Sequence, residues 1–406
     1  MDFEVGTSDG CALDTLPDLA GPAWSPDPAR VEVAIVGGGL AGSILALTLA
    51  RTGFSVAVID ETAFYRSDFR CEKLNARQAA LLAALGVDAV VKSAIAPHKG
   101  LIEVGFRYDH LVNAIRAAWP LSVRFVASRV ANIVTHDASA TFAHRVVSAR
   151  GALADAKLVV LATGPSPTLA AALGLTRQVL RRRHSIGVGF SLAFDGAEPA
   201  GLDGLVAPGE TAGDKIALAS LFRSGEALRV NLFSYHDPCA SWAHQARRDP
   251  LSALRAAWPR LADRLAGAQI VGPIEMRVTD LYRTDPSALP GVVLIGDAFQ
   301  SSCPATGFGV TRLLTDIRQL ALVYIPDWLA SPGIGPEKID AFYADREKAA
   351  VDREALRAAA RARSIAVETA WYWRAYRVAA KVKRLMAASL KNRRRCAHPQ
   401  SASPAE

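Results

Sequence analysis

Apolar residues follow two different periods along this chain of 406 residues. Short, uninterrupted apolar runs are typical of strands buried on both faces of a parallel sheet. Such runs occur at 33–36, 56–59, 158–161 and 292–295. Elsewhere apolar and polar residues alternate, which predicts an antiparallel sheet with one exposed face. The alternating stretches are 185–194, 215–222 and 228–235.

Helical spacing of apolar residues, together with turn residues, predicts the helices between these strands. The predicted helices cover 75–87 (stopped by Gly86), 108–119 and 249–267, with another from about Val310 and a helical region beyond Pro336. The segment 33–50 is apolar enough to suggest a membrane helix. Three consecutive glycines interrupt it, however, so a strand, a turn and a helix explain it better.

The first motif with chemical content is VAIVGGGLAG, in which Gly37, Gly39 and Gly42 form G-x-G-x-x-G. Gly37 permits a tight turn, Gly39 lets the backbone approach a diphosphate, and Gly42 lets helix and strand pack closely. Asp60 ends the next strand, where its carboxylate can accept hydrogen bonds from an adenosine ribose; Glu61 is the alternative. The motif predicts a dinucleotide site but does not distinguish FAD from NAD.

The second motif is VVLIGDAFQSSCPATGFGVTRLLTDIRQL. Asp297 lies at a predicted strand end, where its carboxylate can accept hydrogen bonds from the hydroxyl groups of a ligand. Gly307 and Gly309 open the following helix, whose N-terminus favours negative charge. The spaced residues of this motif are Gly296, Asp297, Ala298, Pro304, Gly307, Gly309 and Asp316.

With both motifs in place, residues 31–319 resemble the flavoprotein hydroxylases of the para-hydroxybenzoate hydroxylase type. The resemblance extends to flavin halogenases and geranylgeranyl reductases. It implies FAD as the cofactor, with Asp297 at the ribityl hydroxyls and the helix after Gly309 facing the flavin edge that becomes anionic on reduction. It also implies that Arg70 lies near the diphosphate and that the side chain of Arg107 reaches the FAD.

The resemblance implies a monooxygenase that uses FAD, O2 and NAD(P)H to hydroxylate a small organic, lipophilic substrate. Two alternatives stay open: a reductase or dehydrogenase of a hydrophobic substrate on the same fold, and a flavoprotein without catalytic activity. Three positions depart from the family pattern. Gln300 replaces a histidine, Thr311 an asparagine and Thr163 an aspartate, and the last change puts efficient NAD(P)H use in doubt. No catalytic residue is predicted.

These observations predict an α/β fold with a discontinuous, Rossmann-like FAD-binding domain and an inserted antiparallel-sheet substrate domain. The predicted divisions are a flexible leader (1–30), the FAD-binding domain (31–181 and 277–335), the substrate domain (182–276), a helical C-terminal region (336–395) and a flexible tail (396–406). The leader lacks the basic and apolar regions of a signal peptide.

Net charge restricts the classes of partner that we expect, and cysteine usage indicates the cellular compartment. Nine basic residues and no acid lie between Arg374 and Arg395, which accounts for more than the whole net charge of +8. The nearly neutral remainder argues against nucleic-acid binding. The five cysteines form no CxxC pair, so we expect no metal site and a reducing, cytoplasmic location. The oligomeric state is not predicted.

The basic segment also has helical periodicity. Trp371, Ala375, Val378, Val382 and Leu385 recur at helix spacing, with a basic stripe beside them. The preferred interpretation is a helix packed on the body through these apolar positions. The alternative is peripheral contact with anionic lipid on the inner face of a membrane.

Overall fold

The computed structural model describes most of the chain between Pro28 and Ala380. The described residues are 28–68, 70–95, 105–136, 142–196, 199–209, 213–224, 227–286, 289–380, 382 and 386. Nearly all of the predicted leader, the whole predicted tail and most of the segment beyond residue 380 lie outside them.

Fourteen strands are formed by the described residues: β1 Ala29–Val36, β2 Val56–Asp60, β3 Cys71–Lys73, β4 Gly105–Arg107, β5 Val123–Ala127, β6 Asn132–Thr135, β7 His144–Ser148, β8 Gly151–Leu161, β9 Arg177–Phe194, β10 Leu205–Pro208, β11 Ile216–Ser224, β12 Ala227–Ser234, β13 Ala268–Thr284 and β14 Val292–Leu294. The main helices are α1 Leu40–Arg51, α2 Ala76–Ala84, α3 Asp88–Ile95, α4 Tyr108–Ala117, α5 Thr168–Ala172, α6 Ser241–Arg248, α7 Pro250–Ala257, α8 Pro259–Arg264, α9 Phe308–Gln319, α10 Ile325–Ala330, α11 Pro336–Ala344 and α12 Arg346–Val367.

The first sheet has seven strands in the order β5-β2-β1-β8-β7-β6, and β14 pairs with β8. Strands β5, β2, β1, β8 and β14 are parallel, with Val33 opposite Val56 on one side and Leu158 on the other. All three of these side chains are fully buried, as the uninterrupted apolar runs predict. Two distant parts of the chain, before β9 and after β13, therefore complete one Rossmann-like sheet.

The second sheet is antiparallel, in the order β10-β11-β12-β9-β13. Alternate residues such as Val188 and Phe190 pack beneath α6, α7 and α8 in a second hydrophobic core. The predicted α/β fold with a second antiparallel sheet is confirmed. Strands β9 and β13 pair from Arg177 opposite Thr284 to Phe194 opposite Ala268. The predicted domain boundaries at 181/182 and 276/277 therefore fall inside continuous strands.

The single helix predicted for 249–267 is wrong, because the structure has two helices there, α7 and α8, preceded by α6. Trp258 separates α7 from α8, with an extended φ of −139° and ψ of 68°. Pro259 explains the break, since proline lacks an N–H donor and disfavours the helical conformation of the residue before it. Asp249 begins α7 by accepting a hydrogen bond from the Ser252 N–H at 3.0 Å.

Beyond α12, residues 371–380 are helical, as the sequence predicts. The preferred interpretation that their apolar stripe packs on the body is wrong. Trp371 is 78% exposed, Val378 64% and Val382 44%, and Leu385 lies outside the described residues. The basic side chain of Arg377 instead donates hydrogen bonds to the Glu368 and Ile365 carbonyls. Within the described residues, no helix combines the length and the apolar character needed to cross a membrane.

A buried ionic cluster joins α12 to α9. The Lys348 ammonium, fully buried, lies 2.8 Å from the Asp316 carboxylate and 3.0 Å from the Asp352 carboxylate. Arg312 contacts the other oxygen of Asp352 at 2.8 Å. Burial raises the pKa of Asp352, but the charges of Arg312 and Lys348 outweigh it and lower the pKa below the ordinary value. Two cations and two anions thus compensate one another in the interior.

Lys348→Met should destabilise the protein strongly, because it leaves Asp316 and Asp352 with one buried cation between them. Removing one partner of a buried pair typically costs about 3–5 kcal/mol. Urea unfolding followed by circular dichroism measures the change in the free energy of unfolding. The exposed Lys92 on α3 supplies the control Lys92→Met, and equal stabilities for the two variants would contradict the cluster's role.

Candidate functional site

The first glycine turn connects β1 to α1 and leaves no room for side chains at two positions. Gly37 has a φ of +102°, and a Cβ there would lie 2.5 Å from the Ala162 carbonyl oxygen. A Cβ on Gly42 would lie 1.9 Å from the Gly37 carbonyl oxygen. Gly39 caps α1 without a side chain, so the N-terminus of a buried 12-residue helix is open to close approach by a ligand.

The backbone of this turn is held at Gly38. The Gly38 N–H donates to the Asp60 carboxylate at 2.6 Å, and the Gly38 carbonyl accepts from the Arg116 guanidinium at 2.6 and 2.9 Å. Arg116 also donates to the carbonyls of Thr62 and Ala63 and lies 3.4 Å from Asp60. Burial lowers the pKa of the Arg116 guanidinium, and the negative charge of Asp60 opposes that effect. Asp60 therefore fixes the turn.

A cavity of about 340 Å³ opens beside this turn. Gly37 and Asp60 line it, together with Thr163, which follows β8. Glu61, the alternative ribose ligand, also lines it, but its carboxylate is paired with Arg129 at 2.8 and 3.0 Å. Those hydrogen bonds lower the pKa of Glu61. Asp60 is thus the better placed of the two acids for a ribose.

Arg70 is connected to the same helix terminus through an aromatic side chain. Its guanidinium stacks 3.6 Å above the Tyr108 ring, and the Tyr108 hydroxyl accepts a hydrogen bond from the Leu40 N–H at 3.1 Å. Arg70 also pairs with Asp68 at 2.7 Å and donates to the Tyr65 hydroxyl at 2.9 Å. Burial raises the pKa of Tyr65 to about 12, so this hydroxyl stays neutral.

Arg107 lies close to this cluster but is held differently. Its guanidinium donates to the Asp109 carboxylate and to the Ser67 hydroxyl. Arg70 is thus connected to the N-terminus of α1 through Tyr108. Arg107 is held instead by Asp109 and Ser67. Contact between Arg107 and a cofactor stays a prediction.

The second turn follows β14 and leads into α9. The Asp316 carboxylate on α9 accepts from the Gly296 N–H at 2.9 Å, next to Asp297. Gly307, with a φ of +68°, precedes α9 and caps it without a side chain. Burial raises the pKa of the Asp297 carboxyl, and the positive charges of Arg312 and Arg70 oppose that shift.

Gln78 on α2 stabilises this second turn from the side. Its side-chain nitrogen donates to the Gly307 carbonyl at 3.2 Å and to the Thr311 hydroxyl at 3.0 Å. Thr311, which departs from the family pattern, is therefore bonded within the protein. Gln300, the other departure in this loop, is fully buried and donates to the Asp352 carbonyl at 3.3 Å.

A larger cavity of about 540 Å³ lies between the second turn and the antiparallel sheet. Its size is within the range of small-molecule sites. Five predicted site residues line it: Arg70, Asp297, Pro304, Gly307 and Gly309. The opposite wall is mainly apolar and comes from the sheet, with Leu218, Phe222 and Phe233 among its residues.

Cys303 lies in the loop of the second turn, between β14 and α9, and is fully buried. Its sulfur is 3.5 Å from the Tyr235 hydroxyl, and burial raises the pKa of the thiol. A neutral, buried thiol agrees with a packing role. The side chain of Cys71 lies outside the described residues. Among the residues that are described, no cluster of histidine, cysteine, aspartate or glutamate could hold a metal ion.

Sequence reasoning missed four residues that shape these turns: Gln78, Tyr108, Arg116 and Lys348. Each lies in a helix, at a position whose neighbours along the chain give no sign of its partner. The sequence around Gln78 indicates only its capping box with Asn75. Its contacts to Gly307 and Thr311, more than two hundred residues away, carry no sequence signature.

Three comparisons with known proteins agree with this geometry. Residues 30–141 match the protein family described as "FAD binding domain". The 3-demethoxyubiquinol 3-hydroxylase of Escherichia coli (strain K12) is 39% identical over 88 residues, which is 20% of this chain and 22% of that protein. The chain thus matches about a fifth of this curated relative's length.

Solved structures resemble the chain over most of its length. The p-nitrophenol 4-monooxygenase of Pseudomonas putida DLL-E4 is 18% identical, with a TM-score of 0.67 over 86% of this chain and 92% of that one. A flavin-dependent brominase is 16% identical, with a TM-score of 0.63 over 83% and 90%. At these identities the likeness establishes the fold. Together with the matched domain it confirms FAD as the predicted cofactor: the chain carries an FAD-binding domain and has the fold of the flavin-dependent monooxygenases.

Proposed function

We propose that this protein is an FAD-dependent monooxygenase that hydroxylates a small, largely apolar organic molecule. The observation that carries the proposal is the arrangement of the two glycine turns. The first turn borders a cavity suited to an adenosine, and the second borders a larger cavity with an apolar wall. This arrangement accommodates the two ends of one dinucleotide and a separate organic molecule.

The residues present fit FAD. The turn at Gly37, Gly39 and Gly42 would hold the diphosphate at the N-terminus of α1, with Arg70 nearby. Asp60 would bind the adenosine ribose, because each of its carboxylate oxygens retains acceptor capacity. Asp297 would bind the ribityl chain. Bound FAD supplies the electron transfer and O2 activation that no amino-acid side chain can provide.

The protein's own contribution is binding, orientation and exclusion of water. The remaining predicted cofactor contacts are Arg107, Gly296, Pro304, Gly307 and Gly309. The N-terminus of α9 would face the flavin edge that gains negative charge, which its dipole favours. Leu218, Phe222 and Phe233 line the sheet side of the chamber and would keep an apolar substrate away from water.

Two features bear on the reductant and the substrate. Thr163, which stands in place of an acid, borders the smaller cavity, and this departure argues against efficient reduction by NAD(P)H. The name of the Escherichia coli relative says that it hydroxylates a demethoxyubiquinol, which agrees with a lipophilic substrate here. The alternative is a reductase of a hydrophobic molecule on the same fold.

Asp297→Ala should weaken FAD binding by at least about tenfold, because each lost hydrogen bond to a charged group is worth about 1.5–3 kcal/mol. Thr311→Ala, in the first turn of α9, is the matched control. It removes a hydroxyl that bonds to Gln78, so its effect should be much smaller. Fluorescence titration of the apoprotein with FAD measures both affinities, and equal losses would contradict the placement of Asp297.

Labelled oxygen distinguishes the monooxygenase from the reductase. FAD-loaded protein, reduced with NADH, NADPH or dithionite, is mixed with ¹⁸O2 and either 3-demethoxyubiquinol or 2-naphthol. We expect one ¹⁸O atom in a product, detected by mass spectrometry. Hydrogenation of a carbon–carbon double bond without O2 consumption would favour the reductase. FAD-loaded protein that yields no product with any of the three reductants would favour the non-catalytic alternative.

We also propose that the C-terminal helix makes peripheral contact with anionic lipid. The exposed side chains of Trp371, Tyr372 and Val378 supply an apolar surface, and Arg374 and the basic residues after it supply positive charge. An amphipathic, aromatic and basic helix suits a membrane interface. A lipophilic substrate would be taken from the same location.

Removal of residues 371–406 should abolish sedimentation with vesicles that contain phosphatidylglycerol. Each basic residue near such a surface contributes about 1 kcal/mol, and salt screens it. Melting temperature and FAD content should stay unchanged, because Trp371, Tyr372 and Val378 are exposed. Pure phosphatidylcholine vesicles are the control. A full-length protein that stays in the supernatant, or a marked fall in melting temperature on truncation, would contradict the contact.

A further inference from the structure

Several strands of the antiparallel sheet line the larger cavity, and the central part of this wall is made by alternate residues of β11 and β12. On β12, Val230 and Leu232 point into the core beneath the helices, whereas Asn231 and Phe233 line the cavity. Ser220 on β11 is the direct cross-strand partner of Asn231 and lines the same cavity. The part of the wall that β11 and β12 form is thus apolar apart from this one adjacent pair of polar side chains.

Asn231 differs from the other residues of this wall in its hydrogen bonding. It is only 2% exposed, and neither its side-chain oxygen nor its side-chain nitrogen has a hydrogen-bond partner. Among the described side chains with such an unpartnered buried atom, Asn231 is the one that lines the larger cavity. A buried polar group without a partner destabilises a fold. Its presence on an apolar wall therefore points to a ligand that completes it.

The chemistry of a carboxamide defines what that ligand must offer. Asparagine presents one acceptor and two donor hydrogens in a single plane. The complementary group has a donor and an acceptor side by side and carries no charge, as in a carboxamide or a lactam. Phe222 and Phe233 flank the polar pair within the same wall and favour a flat, apolar body.

We propose that Asn231 determines substrate specificity by pairing with an uncharged donor–acceptor edge on a planar, apolar molecule. Ser220 supports the same edge with its hydroxyl. The inference rests on the proposed function only in taking this cavity as the substrate chamber.

An anionic ligand is the main competing interpretation, because Arg70, Lys73 and Arg277 also line the cavity. Arg70 pairs with Asp68 at 2.7 Å, and Arg277 lies 3.8 Å from the same carboxylate. Two acids, Asp280 and Asp297, line the cavity with them. The cations are thus balanced locally, and the unpartnered group is the neutral amide.

Three probes of one shape separate these possibilities. 2-Naphthamide carries the donor and the acceptor, 2-acetonaphthone keeps only the acceptor, and 2-naphthoate is the anion. Isothermal titration calorimetry on the FAD-loaded, full-length protein measures their affinities without turnover. We expect 2-naphthamide to bind at least tenfold more tightly than either of the others. Failure to bind 2-naphthamide, or a preference for 2-naphthoate, would overturn the proposal.

Asn231→Leu removes the amide and keeps the volume. It should weaken 2-naphthamide, which loses two hydrogen bonds, at least tenfold, and 2-acetonaphthone, which loses one, by a smaller factor, so that the preference disappears. The matched control is Asn132→Leu, at an exposed position on β6, and it should preserve the preference. A variant at Asn231 that weakens all three probes alike would show that only shape matters, and the proposal would fail.

The stability of Asn231→Leu supplies an independent readout. Because the amide has no partner in the protein, its replacement by an apolar group should leave the melting temperature unchanged or raise it. A fall of several degrees would mean that the amide has a structural role, which contradicts the proposal. Binding and oxygenation fail separately: a protein that prefers 2-naphthamide but never incorporates ¹⁸O loses the proposed function and keeps this inference.

Discussion

The second glycine turn, which carries Asp297, depends on the contacts of the Asp316 carboxylate. One of its oxygens accepts the Gly296 N–H at 2.9 Å, and the other is paired with the Lys348 ammonium at 2.8 Å. Through these two contacts α12 fixes α9, and α9 fixes the turn that carries Asp297. Because the carboxylate is buried, the contact persists only while its positive partner is present. The C-terminal helices are therefore part of the machinery that positions the cofactor loop.

The first turn is stabilised by the same physical device. The Asp60 carboxylate holds the Gly38 N–H, and the Arg116 guanidinium holds the Gly38 carbonyl. In each turn a carboxylate accepts a hydrogen bond from a glycine N–H and thereby orients the backbone. Such preorganisation lowers the cost of ordering the loop when a charged cofactor binds. Asp60 consequently has two roles, one in the protein and one proposed toward the ribose.

Local pattern was sufficient to predict the buried strands, the two turns and the antiparallel sheet. Each is signalled by neighbouring residues, as the branched apolar run before Gly37 and the glycines around Phe308 illustrate. Strand β13 escaped prediction because Gly272 and Pro273 interrupt its alternation, and the pairing with β9 shifts register there. Trp258 has the spacing of a helical residue, but the proline that follows it, Pro259, disfavours the helical conformation at Trp258.

Long-range partners could not be predicted from pattern. Arg116 and Lys348 look like ordinary charged residues of amphipathic helices, yet both are buried against groups far away in the chain. The apolar stripe of the last helix led to the opposite error, a predicted buried face that is exposed. Helical periodicity predicts that a face is apolar but does not show whether other residues pack on it. Asn231 has no sequence signature either, because its significance lies in the partners that it lacks.

Acid precipitation of the purified protein releases its chromophore and so identifies the molecule that we expect to span the two turns. We expect a yellow compound that co-elutes with FAD in stoichiometric amount and is released without covalent attachment. Recovery of FMN, or a colourless protein that FAD fails to reconstitute, would contradict it.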